Sequence, residues 1–471
     1  MSGDGRASAL RWTLRGIIGL TLRVFFRRID RVGVERVPSS GPVMFVLNHP
    51  NALVDPGIAM ISLPRPVSFL AKSTLFTIPL VRSLVRGVDS IPVSRRQDAK
   101  GGKVDNSRTF TVARSVLERG GSIAIFPEGV SHSSTKLKPL RTGAARIALG
   151  AGLKELLIIP VGLDYADKQV FRSAALLYFG EPIQVPPAAS DAGDGGGEPP
   201  REAVKQLTAR LERALAEVTV QAEHAEALAL VERAERILSS VSRASEQPAR
   251  GVSRPPAGER FELRRRIVDG YSQLKEQHRE RIDQLVRRLE EHEDALRSVG
   301  LADFGGGLDA SLDVGLDAGL DAPRPGRRIR LLRLQVLGLT ALVPFAVVGA
   351  LLHYPIYRLI GALAARFARD EDDMVATIKL LASMLLFPVT WVATGIVVGL
   401  LGTPGIGVVA GILAPLLGYA ALLCFEAVER LLGVLRVRLL SWRRRDRVEA
   451  LRRERRWIHD ELVALEQLLD S

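Results

Sequence analysis

The fold of this chain is decided by residues 43–56, which read VMFVLNHPNALVDP. The stretch opens with five apolar residues, and Pro50 with its polar neighbours then ends the run. A short apolar run bounded by turn residues predicts a strand buried on both faces of a sheet. His49 and Asp55 follow that strand, and strand ends are where α/β folds present reactive groups. The stretch therefore predicts an α/β sheet with a polar site at one edge.

Further strands and helices alternate along the chain. Residues 123–126 and 156–161 are short apolar runs like the first, whereas residues 109–118 and 142–152 carry helical patterns. Strands that are apolar on both faces and separated by helices indicate a central sheet covered by helices. We expect this α/β domain to occupy residues 31–185.

Charge and cysteine content limit the classes of function. The 471-residue chain has a formal net charge of +13, which favours an anionic partner. Its arginines concentrate beside apolar helices without interleaved aromatics, so we expect a phospholipid membrane and no nucleic acid as partner. Cys424 is the single cysteine, and no histidine and carboxylate cluster has metal-ligand spacing. The sequence therefore predicts neither a disulfide framework nor a metal site.

Residues 1–30 precede the α/β domain and contain an apolar run that Arg11, Arg15 and Arg23 interrupt. This run lacks the small-residue cleavage site of a secretory signal. We interpret it as an amphipathic helix at the membrane interface. The alternative is a soluble helix packed on the domain.

Three polar segments follow the α/β domain. Residues 186–201 are rich in Pro, Gly, Ala and Asp and are interpreted as a linker. Residues 202–300 carry apolar positions at helical spacing among dense Arg and Glu, which predicts two long charged helices, as a hairpin or a coiled coil. Residues 301–326 repeat Leu-Asp every four residues among glycines and are interpreted as a tether.

Residues 327–435 are predicted to form membrane helices, followed by a basic helix at 436–471. Three apolar segments, 331–352, about 380–401 and 406–425, are long enough to cross a hydrocarbon core of about 30 Å. We expect a multi-pass protein of the plasma membrane with its α/β domain in the cytoplasm.

Arginines flank the first and the third apolar segment, so both flanks are expected in the cytoplasm. Three crossings do not allow that arrangement. We therefore expect the last two segments to form a spanning hairpin around residues 402–405. The first segment, broken by Pro344 and followed by Pro355, would be re-entrant or pair with the short apolar stretch after it.

Three groups of residues carry the chemistry expected at the sheet edge. His49 is a candidate general base for an attacking alcohol, and Asp55 would orient its ring. Glu128 is followed by Gly129, which lets the backbone turn tightly beside a ligand. Arg95 would bind a phosphate through its guanidinium fork. Taken singly, the first two groups are equally well explained by ordinary surface residues, and an arginine like Arg95 is more commonly just exposed at a strand end.

Taken together, these groups resemble the motifs of a known family. In sequence order, NHPNALVD (48–55), GVDSIPVSR (87–95), FPEGVS (126–131) and IPVG (159–162) resemble the four motifs of the glycerol-3-phosphate and lysophosphatidate acyltransferase superfamily. The connecting segments LAKSTLF (70–76) and KPLRTGA (138–144) are similar as well. The resemblance covers roughly residues 32–183.

The resemblance implies a membrane-bound glycerolipid O-acyltransferase that works without a covalent acyl-enzyme. By that analogy His49 is the base and Asp55 orients it. Arg95, with Lys72 or Arg141, would hold the phosphate of the acceptor, either glycerol-3-phosphate or lysophosphatidate. Glu128 and Gly129 would shape the acceptor site. No cofactor is implied, because the acyl thioester donor, acyl-CoA or acyl carrier protein, is a co-substrate.

The spacing of His49 and Asp55 departs from the common family pattern. Five residues separate them here instead of four, and on a regular helix this spacing would turn Asp55 away from His49. A non-helical turn at Pro50 and Asn51 would restore the contact. The longer spacing, together with DDMVAT (372–377), resembles the eukaryotic-type glycerol-3-phosphate or dihydroxyacetone-phosphate branch and favours a glycerol-3-phosphate acceptor.

His132, near Glu128, could hydrogen-bond an acceptor phosphate, but we expect a solvent-exposed loop histidine. The alternative to an enzyme is a catalytically inactive acyltransferase-like membrane scaffold that binds a partner through its long charged helices. The presence of His49, Asp55, Arg95 and Glu128 together argues against the scaffold.

Overall fold

The computed structural model describes residues 3–77, 82, 85, 89–94, 106–134, 136–185, 198–221, 233, 257–298, 325–368, 372–443 and 445–469. Within it the chain divides into two compact units. The N-terminal unit comprises Met1–Gln221 and Leu363–Ala382, and the C-terminal unit comprises Ala222–Ala362 and Ser383–Ser471. Most of the predicted linker and tether, 186–197 and 301–324, lies outside the described residues.

An eight-stranded mixed sheet forms the centre of the N-terminal unit. Its strands are β1 (Phe26–Val32), β2 (Val43–Leu47), β3 (Ser68–Lys72), β4 (Ile91–Val93), β5 (Ser122–Ile125), β6 (Leu157–Tyr165), β7 (Ser173–Phe179) and β8 (Ile183–Gln184). The order is β1-β7-β6-β2-β5-β3-β4, with β8 paired to β6. Strands β6, β2, β5, β3 and β4 run parallel, whereas β7 is antiparallel to β6.

Helices cover both faces of this sheet. They are α1 (Gly3–Phe25), α2 (Val54–Ser62), α3 (Ser107–Glu118), α4 (Gly143–Gly150) and α5 (Arg201–Glu217). In β2, Met44 and Val46 pack with the helices of one face, while Phe45 and Leu47 pack with those of the other. Burial on both faces explains the uninterrupted apolar run of β2 and confirms the predicted α/β class.

The compact unit extends beyond the domain boundary predicted at residue 185. Helix α5 buries Leu207, Leu211 and Leu215 in the same apolar cluster as the sheet, at the spacing of one helical face. Helix α1 buries Leu22 and Phe25, while Leu20 is exposed. Its placement at a membrane interface stays a prediction.

The C-terminal unit contains the other helices. They are α6 (Ala257–Gln277), α7 (Arg279–Ser298), α8 (Pro325–Phe367), α9 (Asp372–Leu401), α10 (Pro404–Arg443) and α11 (Arg445–Leu469), with the end of α8 and the start of α9 belonging to the N-terminal unit. Arg288 of α7 pairs with Glu454 of α11 at 2.6 Å and covers the ring of Trp457. The charged helix before the apolar region therefore packs against the basic helix after it.

Helices α8, α9 and α10 each contain a segment long and apolar enough to cross a membrane: Gly338–Phe367, Asp373–Leu401 and Pro404–Glu429. The prediction that Pro344 breaks the first segment was wrong. Pro344 and Pro355 both lie inside the continuous helix α8. The expected turn around 402–405 is confirmed, because α9 ends at Leu401 and α10 begins at Pro404.

Candidate active site

The parallel strands bring the sequence motifs to one edge of the sheet. Because β2, β5, β3 and β4 run in the same direction, their carboxyl ends meet there. His49 follows β2, Glu128 follows β5, and Lys72 is the last residue of β3. Arg95 lies outside the described residues, so its expected position stays a prediction.

His49 and Asp55 are in contact despite the five residues between them. Nδ1 of His49 lies 2.8 Å from Oδ2 of Asp55. Helix α2 begins only at Val54, and Ala52 has a positive φ of 25°, so the spacer forms a turn rather than a helix. The non-helical turn expected between the two residues is confirmed.

Three donors surround the buried carboxylate of Asp55. Besides His49, the backbone N–H of Asn51 donates to Oδ2 at 2.7 Å, and the hydroxyl of Tyr165 donates to Oδ1 at 2.5 Å. Burial, together with the charge and hydrogen bond of Asp55, raises the pKa of Tyr165 well above 10, so the phenol keeps its proton. Asp55 thus acts only as an acceptor, which assigns the proton of His49 to Nδ1 and its lone pair to Nε2.

The ring of His49 is held from other directions as well. It stacks on Phe126, with ring centroids 4.2 Å apart and planes inclined by 21°. The preceding Asn48 fastens the loop to β6, since its side chain donates to the carbonyl of Leu163 and accepts the N–H of the same residue. The imidazole is therefore preorganised before any ligand binds.

Glu128 is buried, and its carboxylate accepts hydrogen bonds from the loops of the site. Oε1 accepts the backbone N–H of His49 at 3.0 Å, and Oε2 accepts the N–H of Lys138 at 2.8 Å. Nε2 of His132 also donates to Oε2, because Nδ1 of that ring accepts the N–H of Ser134. The expectation of an exposed His132 was wrong: its side chain is 10% exposed and belongs to the site.

Gly129 and Arg141 form one part of the site rim. Gly129 has a φ of +74°, a conformation that glycine adopts readily and other residues rarely do. A Cβ at Gly129 would lie 3.5 Å from Cγ of Arg141, so the arginine stem lies over the turn. The N–H of Arg141 donates to the carbonyl of Pro127 at 2.7 Å, while its side chain is exposed. A cation is thus placed beside the turn and open to solvent.

The arrangement resembles the apparatus that activates a hydroxyl. An imidazole with its lone pair on Nε2 and a carboxylate on Nδ1 can accept a proton and stabilise the resulting charge. Cationic side chains at the same edge suit an anionic substrate group. These features indicate group transfer to the hydroxyl of a phosphorylated compound.

Comparison with known proteins agrees with this chemistry. The Acyltransferase family model matches residues 28–164, and the model of the glycerol-3-phosphate acyltransferase 2 C-terminal domain matches residues 248–469. Residues 28–164 therefore match an acyltransferase domain, and residues 248–469 match a domain found in glycerol-3-phosphate acyltransferase 2.

Three relatives show how far the similarity to acyltransferases extends along the chain. Glycerol-3-phosphate O-acyltransferase 2 of Saccharomyces cerevisiae is 29% identical, over 62% of this chain and 38% of the relative. Glycerol-3-phosphate O-acyltransferase 1 of the same yeast is 25% identical, over 82% and 60% respectively. The chloroplastic 1-acyl-sn-glycerol-3-phosphate acyltransferase BAT2 of Brassica napus is 28% identical, over 29% and 38%. This chain spans less than two thirds of the length of each.

The candidate site also contains residues that the sequence did not reveal. Tyr165 lies 110 residues from Asp55 along the chain. Lys168 donates through Nζ to the carbonyl of Pro50 at 3.3 Å and to the hydroxyl of Ser133, so it joins two loops of the site. A tyrosine at a strand end and a lysine in a loop carry no local signal, whereas His132 is four residues from Glu128 and could have been suspected.

Proposed function

We propose that this protein is a membrane-bound glycerolipid O-acyltransferase that transfers a fatty acyl group from an acyl thioester to a hydroxyl of glycerol-3-phosphate. The observation that carries the proposal is the 2.8 Å contact between His49 and Asp55 in a loop that Glu128 fixes. The acyltransferase match over residues 28–164 supports it.

The reaction follows from the arrangement of the site. Nε2 of His49 takes the proton of the attacking hydroxyl, whose oxygen forms a bond to the thioester carbonyl carbon. The carbon–sulfur bond then breaks, and His49 returns the proton to the leaving thiolate. Asp55 stabilises the imidazolium between these two steps. No covalent acyl-enzyme is required, and acyl-CoA and acyl carrier protein are both candidate donors.

The acceptor phosphate is assigned to cationic side chains at the sheet edge. Arg141 lies beside the turn at Gly129, and Lys72 ends β3 at the same edge. We assign Arg95 to the same phosphate on the strength of its motif. Glu128 accepts backbone N–H groups with both oxygens, so its role is to shape the site by holding the loops rather than to contact the acceptor itself.

Glycerol-3-phosphate is favoured as the acceptor over lysophosphatidate. Both yeast relatives bear the name glycerol-3-phosphate O-acyltransferase, and the C-terminal match, residues 248–469, is to a domain of the same name. The lysophosphatidate relative from Brassica napus aligns over 29% of this chain only. The longer spacer between His49 and Asp55 agrees with this choice.

The three apolar helices make this a membrane protein. We further propose the plasma membrane as its location, with more than one crossing and the site on the cytoplasmic side. The arginines on both flanks of the apolar region support the cytoplasmic placement.

The test is acylation by the purified full chain in detergent, with acyl-CoA or acyl carrier protein as donor and glycerol-3-phosphate or lysophosphatidate as acceptor. We expect product with glycerol-3-phosphate, and none from folded His49→Ala. His278→Ala, in the charged helical region, is the matched control and should retain activity. Arg141→Ala should raise KM for the acceptor by about tenfold or more, as loss of a charge-assisted hydrogen bond does. A scaffold would give no product with either acceptor.

A further inference from the structure

Helix α2, which carries Asp55, begins without a cap of its own. The residue at its N-cap is Leu53, whose side chain has no oxygen to bind the first N–H groups of the helix. Instead, the N–H of Leu53 donates to Oγ1 of Thr377 at 3.1 Å. Thr377 is separated from Leu53 by 324 positions along the chain and is 1% exposed.

This hydrogen bond acts on the spacer between the two proposed catalytic residues. Leu53 lies two residues before Asp55, and the N–H groups of Val54 and Asp55 both donate to the carbonyl of Asn51. Asn51 in turn donates its own N–H to the carboxylate of Asp55. A shift of Leu53 would therefore move Asp55, two residues later, whose carboxylate orients His49.

A second set of contacts packs the start of α9 against α2, next to the same spacer. Ala376 and Leu380 are buried in the apolar cluster that contains Val54 and Ile58 of α2. Leu380 lies four residues after Ala376 and three after Thr377, the two spacings that place residues on one helical face.

The loop between β6 and β7 links α9 to the spacer by another route. Nζ of Lys379 donates to the carbonyl of Gln169 at 2.8 Å. The neighbouring carbonyl of Lys168 accepts the side-chain amide of Asn51 at 3.3 Å. Two independent routes thus connect the start of α9 with the spacer.

Helix α9 is also a candidate membrane span. Its 30 residues measure about 45 Å, which exceeds the hydrocarbon core of about 30 Å by roughly ten residues. Its first residues, up to Ala382, belong to the N-terminal unit. The surplus length therefore matches the part of α9 that is docked on the acyltransferase domain.

We propose that Thr377 is a positioning residue for the His49–Asp55 pair, through which the start of a membrane helix completes the active site. Its hydroxyl accepts the N–H of Leu53, the N-cap residue of α2, and so fixes the spacer. The inference rests on the proposed acyltransferase function.

The experiment compares three substitutions in the full chain, purified in detergent and assayed with glycerol-3-phosphate. Thr377→Val keeps the shape of the side chain and removes the acceptor oxygen, while Thr377→Ser keeps the oxygen. Thr390→Val is the matched control, because Thr390 lies on the same helix and its hydroxyl donates to Leu386 within that helix. Thr377→Ala replaces the valine variant if the latter does not accumulate as folded protein.

For Thr377→Val we expect kcat to fall about tenfold or more, since small misplacements of a catalytic group have effects of this size. KM for glycerol-3-phosphate should stay unchanged, Thr377→Ser should restore kcat, and Thr390→Val should match the wild type. A second readout is the rate at which diethyl pyrocarbonate modifies His49, measured by mass spectrometry without substrate. It should rise in Thr377→Val, because a loosened spacer exposes the ring.

Unchanged kcat in Thr377→Val, or a lowered melting temperature with normal kcat and normal His49 modification, overturns the positioning role and leaves the proposed function standing. Absence of product from the wild type contradicts the proposed function instead. In that case the modification rate of His49 alone decides whether Thr377 positions it.

Discussion

Asp55 and Glu128 are both buried carboxylates, but their partners differ in one chemical respect. One donor to Asp55 is the hydroxyl of Tyr165, which can also accept a hydrogen bond. The donors to Glu128 include the backbone N–H groups of His49 and Lys138, which can only donate. A neutral amide is therefore accommodated at position 55 and not at position 128.

Asp55→Asn tests the charge of the dyad. The amide oxygen can take the two N–H donors of Oδ2, while its NH₂ group turns to the oxygen of Tyr165, so the fold is retained. The substitution removes the negative charge that stabilises the imidazolium. We expect kcat to fall by roughly 10²-fold or more, with unchanged KM and melting temperature, measured by steady-state kinetics and thermal unfolding. Full activity in this variant would contradict the role of Asp55.

Glu128→Gln tests the hydrogen bonds that hold the loops. Whichever way the amide is turned, its NH₂ group faces a backbone N–H, so a buried donor is left unpaired. The free energy of unfolding should fall by about 1–3 kcal/mol and kcat should fall with it, since the loop of His49 is released. Glu181→Gln is the control, because Glu181 is exposed and pairs with Arg36 at the surface. Equal melting temperatures for the two variants would contradict this account.

The sequence identified some residues of the site and missed others for a physical reason. His49, Asp55 and Glu128 follow predicted strand ends in a recognisable order, so their types and spacing sufficed. Tyr165 and Thr377 act on the site from 110 and 324 positions away. Such contacts depend on how strands and helices pack, so no local sequence pattern predicts them.

Among the secondary-structure elements, helices α9 and α10 form a hairpin in which the two backbones lie in close contact. A Cβ at Gly407 would lie 2.5 Å from the carbonyl oxygen of Gly395 and 2.6 Å from Cα of Gly399. Gly395 and Gly399 are four residues apart, as are Gly407 and Gly411, which is the spacing of small residues at tight membrane-helix interfaces. The hairpin is therefore held by backbone proximity that larger side chains would prevent.

Gly407→Leu should separate the two helices, because its side chain has no space between them. We expect a lower melting temperature in detergent and faster proteolysis of the apolar region. Gly405→Leu is the matched control two residues earlier, where an added Cβ meets no atom within 4 Å. Similar behaviour of both variants would show that the glycine contact does not hold the hairpin.

The boundaries of strands and helices were predictable where one hydrophobic periodicity dominated the segment. The apolar run of β2 and the helices α3 and α4 lie where their periodicities placed them, because burial on one or both faces dictates those patterns. The break at Pro344 was not found, since a proline bends or weakens a helix without always ending it. The start of α9 looked like part of a membrane segment, and its docking on α2 depends on partners far away in sequence.

For the molecule as a whole, contacts between distant residues restrict the number of membrane crossings. Leu53 and Thr377 are hydrogen-bonded and so lie on the same side of the membrane, although α8 separates them in sequence. Arg288 and Glu454 also lie on one side, with all three apolar helices between them. Among the described residues no other candidate span intervenes. We therefore expect helices α9 and α10 to cross as a pair and α8 not to cross.

The contacts of α8 suggest a place for it in the membrane. His353 of α8 accepts a hydrogen bond from Nε1 of Trp391 in α9 at 2.9 Å. If the hydrocarbon core begins at Ser383, Trp391 lies about 12 Å along the helix from the surface. This depth exceeds the roughly 5–10 Å reached by an interfacial helix, so we expect this part of α8 to enter the hydrocarbon core and return to the same side.

Cysteine labelling in sealed vesicles decides this topology. In a Cys424→Ser background, a membrane-impermeant maleimide is applied from each side to variants Ser298→Cys before α8, Asp373→Cys after it, Thr403→Cys at the hairpin tip and Glu449→Cys in α11. We expect Ser298→Cys, Asp373→Cys and Glu449→Cys to react from one side and Thr403→Cys from the other. Because α8 is the only candidate span among the described residues between 298 and 373, labelling of these two positions from opposite sides would show that α8 crosses. That result would also break the link between Thr377 and the active-site loop, since the two could not then meet.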